Sequence, residues 1–185
     1  MGYGNFDGEH GVKSYIRMLA KNLASEYILH ALSSFKSKRK SSIFVDGMTI
    51  HNFPLRYSFI SILGQIFSLR KLVKDNNVDI VHMHTLRNGL LGVLSLRNTS
   101  IRLVYTGHGL RYTQKISKFS KFVFKFIEKF VCKQANHVIF IRSFDQKKAL
   151  KDGILTKNNY SIINTCIVLD QFKIFDKKKI EEIRK

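Results

Sequence analysis

Apolar segments rich in β-branched residues alternate with segments of helical period along this chain of 185 residues. Most of the apolar segments are hydrophobic at successive positions, so both faces of the predicted strands must be covered. The strand candidates are EYILHALSS, SSIFVDGM, VDIVHMHT, IRLVYTGHG, HVIFIRS and YSIINTC, and the helix candidates lie near residues 12–25, 57–75, 87–97, 116–134 and 144–151. Such alternation is typical of a parallel sheet with helices on each side. We therefore predict a single three-layer α/β domain with a mainly parallel sheet of about five or six strands.

Composition is that of one globular domain, with 44% hydrophobic and 12% aromatic residues. The longest apolar stretches, GLLGVLSL and FVFKFI, are well short of the roughly 18 residues that a membrane span needs. The first ten residues lack the basic start and apolar run of a secretory signal. Cys132 and Cys166 have neither CxxC spacing nor a disulfide framework, so we expect reduced thiols and a cytoplasmic location.

Charge is the strongest compositional signal, because 32 Lys and Arg residues face 13 Asp and Glu residues and give a formal net charge of +19. Such a surface attracts polyanions. Nucleic acid, an anionic membrane and phosphate-rich substrates all satisfy this condition. The net charge of the chain therefore predicts that the partner is negatively charged and leaves the identity of the partner open.

Polar or small residues follow four of the predicted strands. They are His82 and His84, Gly107 and His108, Arg142 and Ser143, and Asn164 and Thr165. In an open parallel sheet, ligands bind beyond the carboxyl ends of the strands. His108 lies between Gly107 and Gly109, which either form a turn after the strand or clear space for a ligand that His108 contacts. The sequence alone leaves both interpretations open.

A glycine pair also precedes the first predicted helix, in the segment GEHGVKSYIRMLAKNLAS. Gly8 and Gly11 are a weak signal for a phosphate-binding loop, and a simple helix-capping loop is the alternative. The preceding residues MGYGNFD are too few and too polar for a buried strand. The first strand of a doubly wound domain is therefore expected to be missing.

Five segments together resemble the N-terminal domain of the family 4 retaining glycosyltransferases. They are GVKSYIRMLAKNLASEYILHALSS, VDIVHMHTLRNGLLG, VYTGHGL, QANHVIFIRSFDQKKAL and SIINTCIVLDQF, and they extend from about Gly8 to Phe172. Members of this family have the GT-B architecture, in which two Rossmann-like domains face a cleft. The resemblance implies one Rossmann-like half of that architecture over residues 1–174, without its first strand, followed by a linker helix over 175–185.

Site residues follow from the resemblance position by position. Gly11 matches the second glycine of the loop near the donor diphosphate, although His10 stands where the first glycine is usual. His108 matches the histidine that contacts the transferred sugar, and the neighbouring Gly107 and Gly109 would let the sugar ring approach. His84 matches a histidine nearer the acceptor, where a structural hydrogen bond is an equal alternative. Two further residues, Ser143 and Asn164, would line the cleft floor, with loop capping as the favoured alternative for both.

The resemblance also implies what the chain lacks. The C-terminal domain of the family binds the nucleotide and carries two glutamates seven residues apart, a spacing that no glutamate pair shows here. We expect a nucleotide-sugar donor as co-substrate, no metal, and a lipid-linked or saccharide acceptor. The donor-binding half would be a separate partner, and the chain alone is expected to be inactive. A fragment, a split gene and a decayed gene are equally compatible with this pattern.

A second class of function follows from the segment KISKFSKFVFKFIEKFVCK. It places Lys118, Lys121, Lys125 and Lys129 on one helical stripe and Phe119, Phe122, Phe126 and Phe130 on the neighbouring stripe. Basic amphipathic helices of this kind bind anionic membranes at the surface. The alternative is a surface helix whose phenylalanines pack on the sheet. A basic, non-catalytic protein at the inner face of the membrane is the second hypothesis, and nucleic-acid binding, without a module signature, ranks third.

Overall fold

The computed structural model describes residues 11–33, 42–52, 59–156 and 158–165. The α-helices in these ranges are α1 (Gly11–Leu23), α2 (Phe59–Asp75), α3 (Leu86–Leu96), α4 (Lys118–Gln134) and α5 (Ser143–Lys151). The strands are β1 (Leu29–Ser33), β2 (Ser42–Val45), β3 (Met48–Asn52), β4 (Ile80–His84), β5 (Arg102–Gly107), β6 (His137–Phe140) and β7 (Tyr160–Ile162). The predicted α/β class is confirmed. The predicted linker helix over 175–185 lies outside the described residues.

Two sheets are formed by these strands. One has the order β4-β5-β6-β7 and is parallel throughout, and the other has the order β1-β3-β2. In the smaller sheet β1 and β3 are parallel, whereas β2 and β3 form an antiparallel hairpin. The mainly parallel arrangement is thus confirmed, but the described part has seven strands in two sheets rather than five or six in one.

Strand β3 is the element that the sequence analysis missed, because the segment before it was assigned as one strand ending at Met48. Asp46 and Gly47 have φ values of 52° and 79°, so they form a tight turn between β2 and β3. An Asp-Gly pair with positive φ at both residues is typical of a two-residue hairpin. This dipeptide was the available signal for the turn.

The main hydrophobic core lies on one face of the four-stranded sheet. The residues of β4, β5 and β6 that point to this face are Val81, Met83, Leu103, Tyr105, Val138 and Phe140, and all are buried. Helix α3 packs closely here, because a Cβ atom at Gly89 would lie 2.7 Å from Cγ1 of Val131, and one at Gly92 would overlap Met83. These glycines therefore allow the helix to approach both the sheet and α4.

Histidine and threonine side chains occupy the opposite face of the same sheet. His82 and His84 are two residues apart on β4, and Thr106 pairs with His84 in the register of β5. Helix α1 covers this end of the face, since the Tyr15 ring contacts His84. The alternation of side chains along β4 and β5 thus separates an apolar face from a polar one.

A buried acid links the core side of the sheet to α4. Glu128 is 1% exposed, and its Oε1 atom accepts a hydrogen bond of 2.7 Å from the Tyr105 hydroxyl. Its Oε2 atom is buried and has no hydrogen-bond partner among the described residues. Burial raises the pKa of the Glu128 carboxyl to about 7, with repulsion from Asp145 acting in the same direction. The folded chain therefore favours the protonated form of Glu128.

We predict that this carboxyl makes stability depend on pH. Its pKa is higher in the folded state than in the unfolded state, so its contribution is present below about pH 4.5 and is lost as pH rises through about 7. Between pH 5 and 8, the free energy of unfolding of Glu128→Gln should therefore rise relative to wild type by about 2–3 kcal/mol. Urea unfolding at both pH values measures this change, and a pH-independent difference between the two proteins would contradict it.

Candidate functional site

Two histidines meet where β4 and β5 end. The Nδ1 atom of His84 and the Nε2 atom of His108 lie 3.1 Å apart and share a hydrogen bond. Their ring centroids are 5.3 Å apart. His84 is 3% exposed, whereas His108, the first residue after β5, is half-buried. The buried His84 ring therefore holds the His108 ring through this hydrogen bond. The two histidines predicted from the sequence meet at the carboxyl edge of the sheet.

A third histidine extends this arrangement along β4. The His82 and His84 rings are 4.1 Å apart, and Nε2 of His82 lies 2.6 Å from the Thr106 hydroxyl oxygen. His82 was not predicted as a site residue. Because side chains two residues apart on a strand point to the same face, the HxH spacing was the signal that could have identified it. The three imidazoles form one cluster, which we call the histidine cluster (His82, His84 and His108).

Burial keeps the histidine cluster neutral near pH 7. It lowers the pKa of His82 to about 4, and it lowers the pKa of His84 well below its usual value, with repulsion between neighbouring imidazoles adding to both effects. The pKa of His108 is also lowered by burial. A neutral imidazole has one nitrogen that donates and one that accepts. With Nε2 of His108 engaged by His84, Nδ1 is the ring nitrogen left for a ligand.

Tyr15 connects α1 to the histidine cluster. Its ring is 6% exposed and meets His84 and His108 edge-on, at centroid distances of 5.8 Å and 5.3 Å. Gly11, the predicted loop glycine, begins the same helix one turn earlier and is exposed. The start of α1 is therefore held beside His108. No feature of the sequence distinguished Tyr15 from the other apolar positions of the helix.

The glycines on either side of His108 differ in their environment. A Cβ atom at Gly107 would meet no atom of the described residues within 4 Å, although Gly107 itself is buried. Gly109 has a φ of +112°, a conformation that side chains rarely adopt. Gly109 therefore makes the turn, and the interpretation that the glycines clear space for a ligand remains a prediction.

Ser143 and Asn164 follow β6 and β7 at the same edge, and both are exposed. Ser143 is the first residue of α5, and Arg142 occupies the N-cap position without a side-chain capping bond. The structure thus gives no support to a capping role for the Ser143 hydroxyl. The guanidinium of Arg142 lies beside Gly109. The sequence analysis identifies Arg142 only as a polar residue after a strand.

The basic helix α4 has two different sides. Phe119, Phe122 and Phe126 are 76%, 71% and 68% exposed, whereas Phe124 and Phe130 are partly buried against the core. The packing alternative is therefore wrong for the first three phenylalanines and right for Phe130. The predicted membrane-contact lysines lie among them, with Lys118, Lys121 and Lys129 exposed and Lys125 half-buried.

The described ranges contain neither a metal-binding group of side chains nor a membrane-spanning helix. No three His, Cys, Asp or Glu side chains there are grouped to hold a metal ion, the histidine cluster included. None of the described helices has the length and apolar character to span a membrane. Cys132 is buried, and its burial raises the pKa of the thiol, whereas Cys166 lies outside the described residues.

We predict that the shared hydrogen bond couples the protonation of the two rings. If His84 donates from Nδ1, both rings carry the proton on Nδ1, and if His108 donates from Nε2, both carry it on Nε2. Two-bond ¹H–¹⁵N spectra at pH 7.5 should therefore show the same tautomer for both residues. His84→Asn keeps a hydrogen-bonding group near Nδ1 and should preserve a single His108 tautomer, whereas the similarly sized His84→Leu should give a mixture. Opposite tautomers in the wild-type chain would disprove the coupling.

Comparison with known proteins supports the resemblance found in the sequence. The model of the glycosyl transferase 4-like family matches residues 9–142, more than half of the chain. A UDP-Gal:α-D-GlcNAc-diphosphoundecaprenol α-1,3-galactosyltransferase from Escherichia coli is 29% identical over 116 residues, which are 62% of this chain and 30% of that protein. An uncharacterized 41.2 kDa protein in the cps region of Klebsiella pneumoniae is 26% identical over 132 residues, covering 68% of this chain and 35% of that protein. The chain thus spans about a third of the length of these relatives.

Solved structures show the same fold at lower identity. A glycosyltransferase from Rickettsia africae has a TM-score of 0.68 at 17% identity, with 98% of this chain and 46% of that chain covered. HepE from Anabaena, solved with UDP, has a TM-score of 0.67 at 12% identity, with 98% of this chain and 48% of that chain covered. The α/β fold, the matched motifs and the family model agree, and the chain belongs to the glycosyl transferase 4-like family, as an N-terminal Rossmann-like domain of the GT-B architecture.

Proposed function

We propose that this chain is the acceptor-side part of a retaining glycosyltransferase that moves a sugar from a nucleotide-sugar donor to a lipid-linked or cell-surface saccharide. The observation that carries this proposal is the placement of His108. A neutral, half-buried imidazole stands at the carboxyl edge of the sheet, beside Gly107, where no described residue would contact an added Cβ atom. His84 and Tyr15 hold it there.

The chemistry of transfer gives His108 its role. The bond between the anomeric carbon and the diphosphate oxygen breaks, and its electron pair leaves with the diphosphate. The acceptor hydroxyl oxygen bonds to that carbon on the same face, and its proton passes to the departing phosphate. The sugar becomes oxocarbenium-like on the way, so a protonated imidazole would repel it. The lowered pKa of His108 avoids that repulsion and leaves Nδ1 to orient the sugar by a hydrogen bond.

The nature of the acceptor is inferred from a relative. The Escherichia coli galactosyltransferase is named for its action on α-D-GlcNAc-diphosphoundecaprenol. We propose a polyprenyl-diphosphate sugar as the acceptor class here as well. The donor would be bound by a second domain, because the match covers only 30% and 35% of the lengths of these two relatives. Neither a metal nor another cofactor is required by this proposal.

Helix α4 supports docking at an anionic membrane, where such an acceptor would be located. Its outer side presents three exposed phenylalanines among lysines, which combines apolar insertion with electrostatic attraction. Phe124, Ile127 and Val131 anchor the opposite side of the helix in the core. A helix fixed in this way would present the outer side without unfolding. We therefore place the protein at the cytoplasmic face of the membrane.

We predict that the 185-residue chain alone transfers no sugar. Stabilising the departing diphosphate needs positioned donors that the histidine cluster does not supply, and losing a single such donor already costs about 10²–10³-fold in rate. The assay combines the purified chain with labelled nucleotide sugars and bacterial lipid extract. Turnover by the chain above the no-protein control would contradict the requirement for a second domain.

Activity is expected when the C-terminal domain of a full-length family member is joined after residue 185. In that fusion, His108→Ala should lower kcat by about 10²-fold or more, since an oriented contact to the reacting sugar is lost. His137→Ala removes an imidazole that bonds Ser161, away from the histidine cluster, and should leave kcat within a few-fold. Equal rates for the two variants would refute the role of His108.

Vesicle binding tests the membrane proposal. Replacing Phe119, Phe122 and Phe126 with Ser should weaken binding to anionic vesicles by about tenfold or more, because apolar area no longer leaves water. A matched triple variant removes the exposed phenylalanines Phe44, Phe67 and Phe144 and should bind as wild type does. Binding should also fall steeply between about 0.1 and 1 M salt. Equal binding to neutral and anionic vesicles, or tighter salt-sensitive binding to duplex DNA, would contradict membrane docking.

A further inference from the structure

Arg142 brings a guanidinium group to the edge of the sheet where His108 lies. It is the second residue after β6, and Gly107 pairs with Phe140 in the parallel register of β5 and β6. The two loops therefore leave the sheet side by side. The Arg142 side chain is 60% exposed, so a ligand at this edge can reach it.

Asp145 fixes the orientation of that guanidinium. Its Oδ2 atom accepts a hydrogen bond of 2.7 Å from Nε of Arg142 and forms an ion pair with Nη2, also at 2.7 Å. The Asp145 side chain is only 1% exposed and lies in the first turn of α5. Packing of the domain thus fixes the Asp145 carboxylate. The ion pair with this fixed group limits the conformational freedom that an exposed arginine side chain normally has. Five N–H groups are available on a guanidinium, and three remain for another partner.

Gly109 determines where the guanidinium rests. A Cβ atom at Gly109 would lie 3.4 Å from Nη2 of Arg142, so the guanidinium packs against the backbone immediately after His108. This distance is an ordinary van der Waals contact, whereas the φ of +112° would strain a residue with a side chain. The turn at Gly109, which follows His108, is therefore also the place where the Arg142 guanidinium contacts the backbone.

We propose that Arg142 binds a phosphate group of the substrate beside His108, with Asp145 as its positioning residue. The planar fork of arginine matches phosphate oxygens, and phosphate is the anionic group that both the donor and a polyprenyl-diphosphate acceptor carry. This proposal rests on the proposed function. A simple ion pair between neighbouring residues of one helix turn is the competing explanation, and it predicts no ligand.

The test uses ³¹P NMR titration of inorganic diphosphate with the 185-residue chain at about 0.15 M salt, where distant charges are screened. Arg142→Gln should weaken binding by about tenfold, the usual size of a lost hydrogen bond to a charged group. Arg102→Gln removes the same charge at the start of β5, on the opposite edge of the sheet, and should change binding less than twofold. Equal losses in the two variants, or no binding by wild type, would overturn the proposal.

Two further variants separate orientation from charge. Arg142→Lys keeps the charge but not the fork and should bind diphosphate more weakly than wild type. Asp145→Asn keeps the shape but loses the charge that holds Arg142, so it should also weaken binding, provided that circular dichroism shows an intact fold. If Arg142→Lys bound diphosphate with wild-type affinity, a point charge would suffice. That result would contradict recognition by the planar guanidinium.

The source of the phosphate is resolved by repeating the titration with UDP and with a short-chain prenyl-diphosphate GlcNAc. The ligand whose affinity falls in Arg142→Gln but not in Arg102→Gln is the one that Arg142 recognises, and no selective loss with either would overturn the proposal. These measurements need no turnover, so they stand even where no transfer is detected. Conversely, transfer by the fusion protein that is unchanged in Arg142→Gln would refute the role of Arg142 and leave the proposed function intact.

Discussion

The parallel pairing of β4 with β5 is the constraint from which the site follows. This register sets His84 opposite Thr106, so the chain that continues to His108 emerges above His84. The hydrogen bond between the two imidazoles is possible only at this register. A shift of β4 by one residue would turn His82 and His84 toward the hydrophobic core, because successive side chains on a strand point to opposite faces.

That same alternation explains why a polar cluster is tolerated inside a small domain. Large apolar side chains such as Met83 and Tyr105 fill the face covered by α3 and α4, and this face forms the main core. The opposite face is free to hold imidazoles, which are neutral when buried and bond to one another and to Thr106. Helix α1 closes this face at one end through Tyr15. The catalytic proposal thus depends on a division between the two faces of one sheet.

Much of the fold could be predicted because its signal is local. The ends of α3, α4 and α5 lie within two residues of their predicted positions, since apolar periodicity and turn residues act over short distances. Strand β3 was missed because Asp46 and Gly47 were included in a single predicted strand ending at Met48 instead of being recognised as a turn. The separation into two sheets was also missed, because strand pairing is not local.

The candidate site was predicted only in part, for the same physical reason. His84 and His108 stood out as polar residues after apolar strands, and the family resemblance gave them roles that remain proposals. Tyr15 joins them through ring contacts between elements distant in sequence, which no spacing rule contains, whereas His82 lies on the same strand as His84 and was accessible from the HxH spacing. The burial of Asp145, on which the orientation of Arg142 depends, is likewise a property of the packed domain.

By itself, the sequence determined the α/β class, the polar carboxyl edge and the amphipathic character of the basic helix, because each is recorded in the order of apolar and polar residues. Only the tertiary structure decided which side of α4 faces water and which cation stands beside His108. Three phenylalanines of one helix remain exposed while Phe124 and Phe130 are covered, since the orientation of a helix is fixed by what it packs against. Arg142 was one of 32 basic residues in the sequence, and the approach of its loop to Gly109 sets it apart from the others.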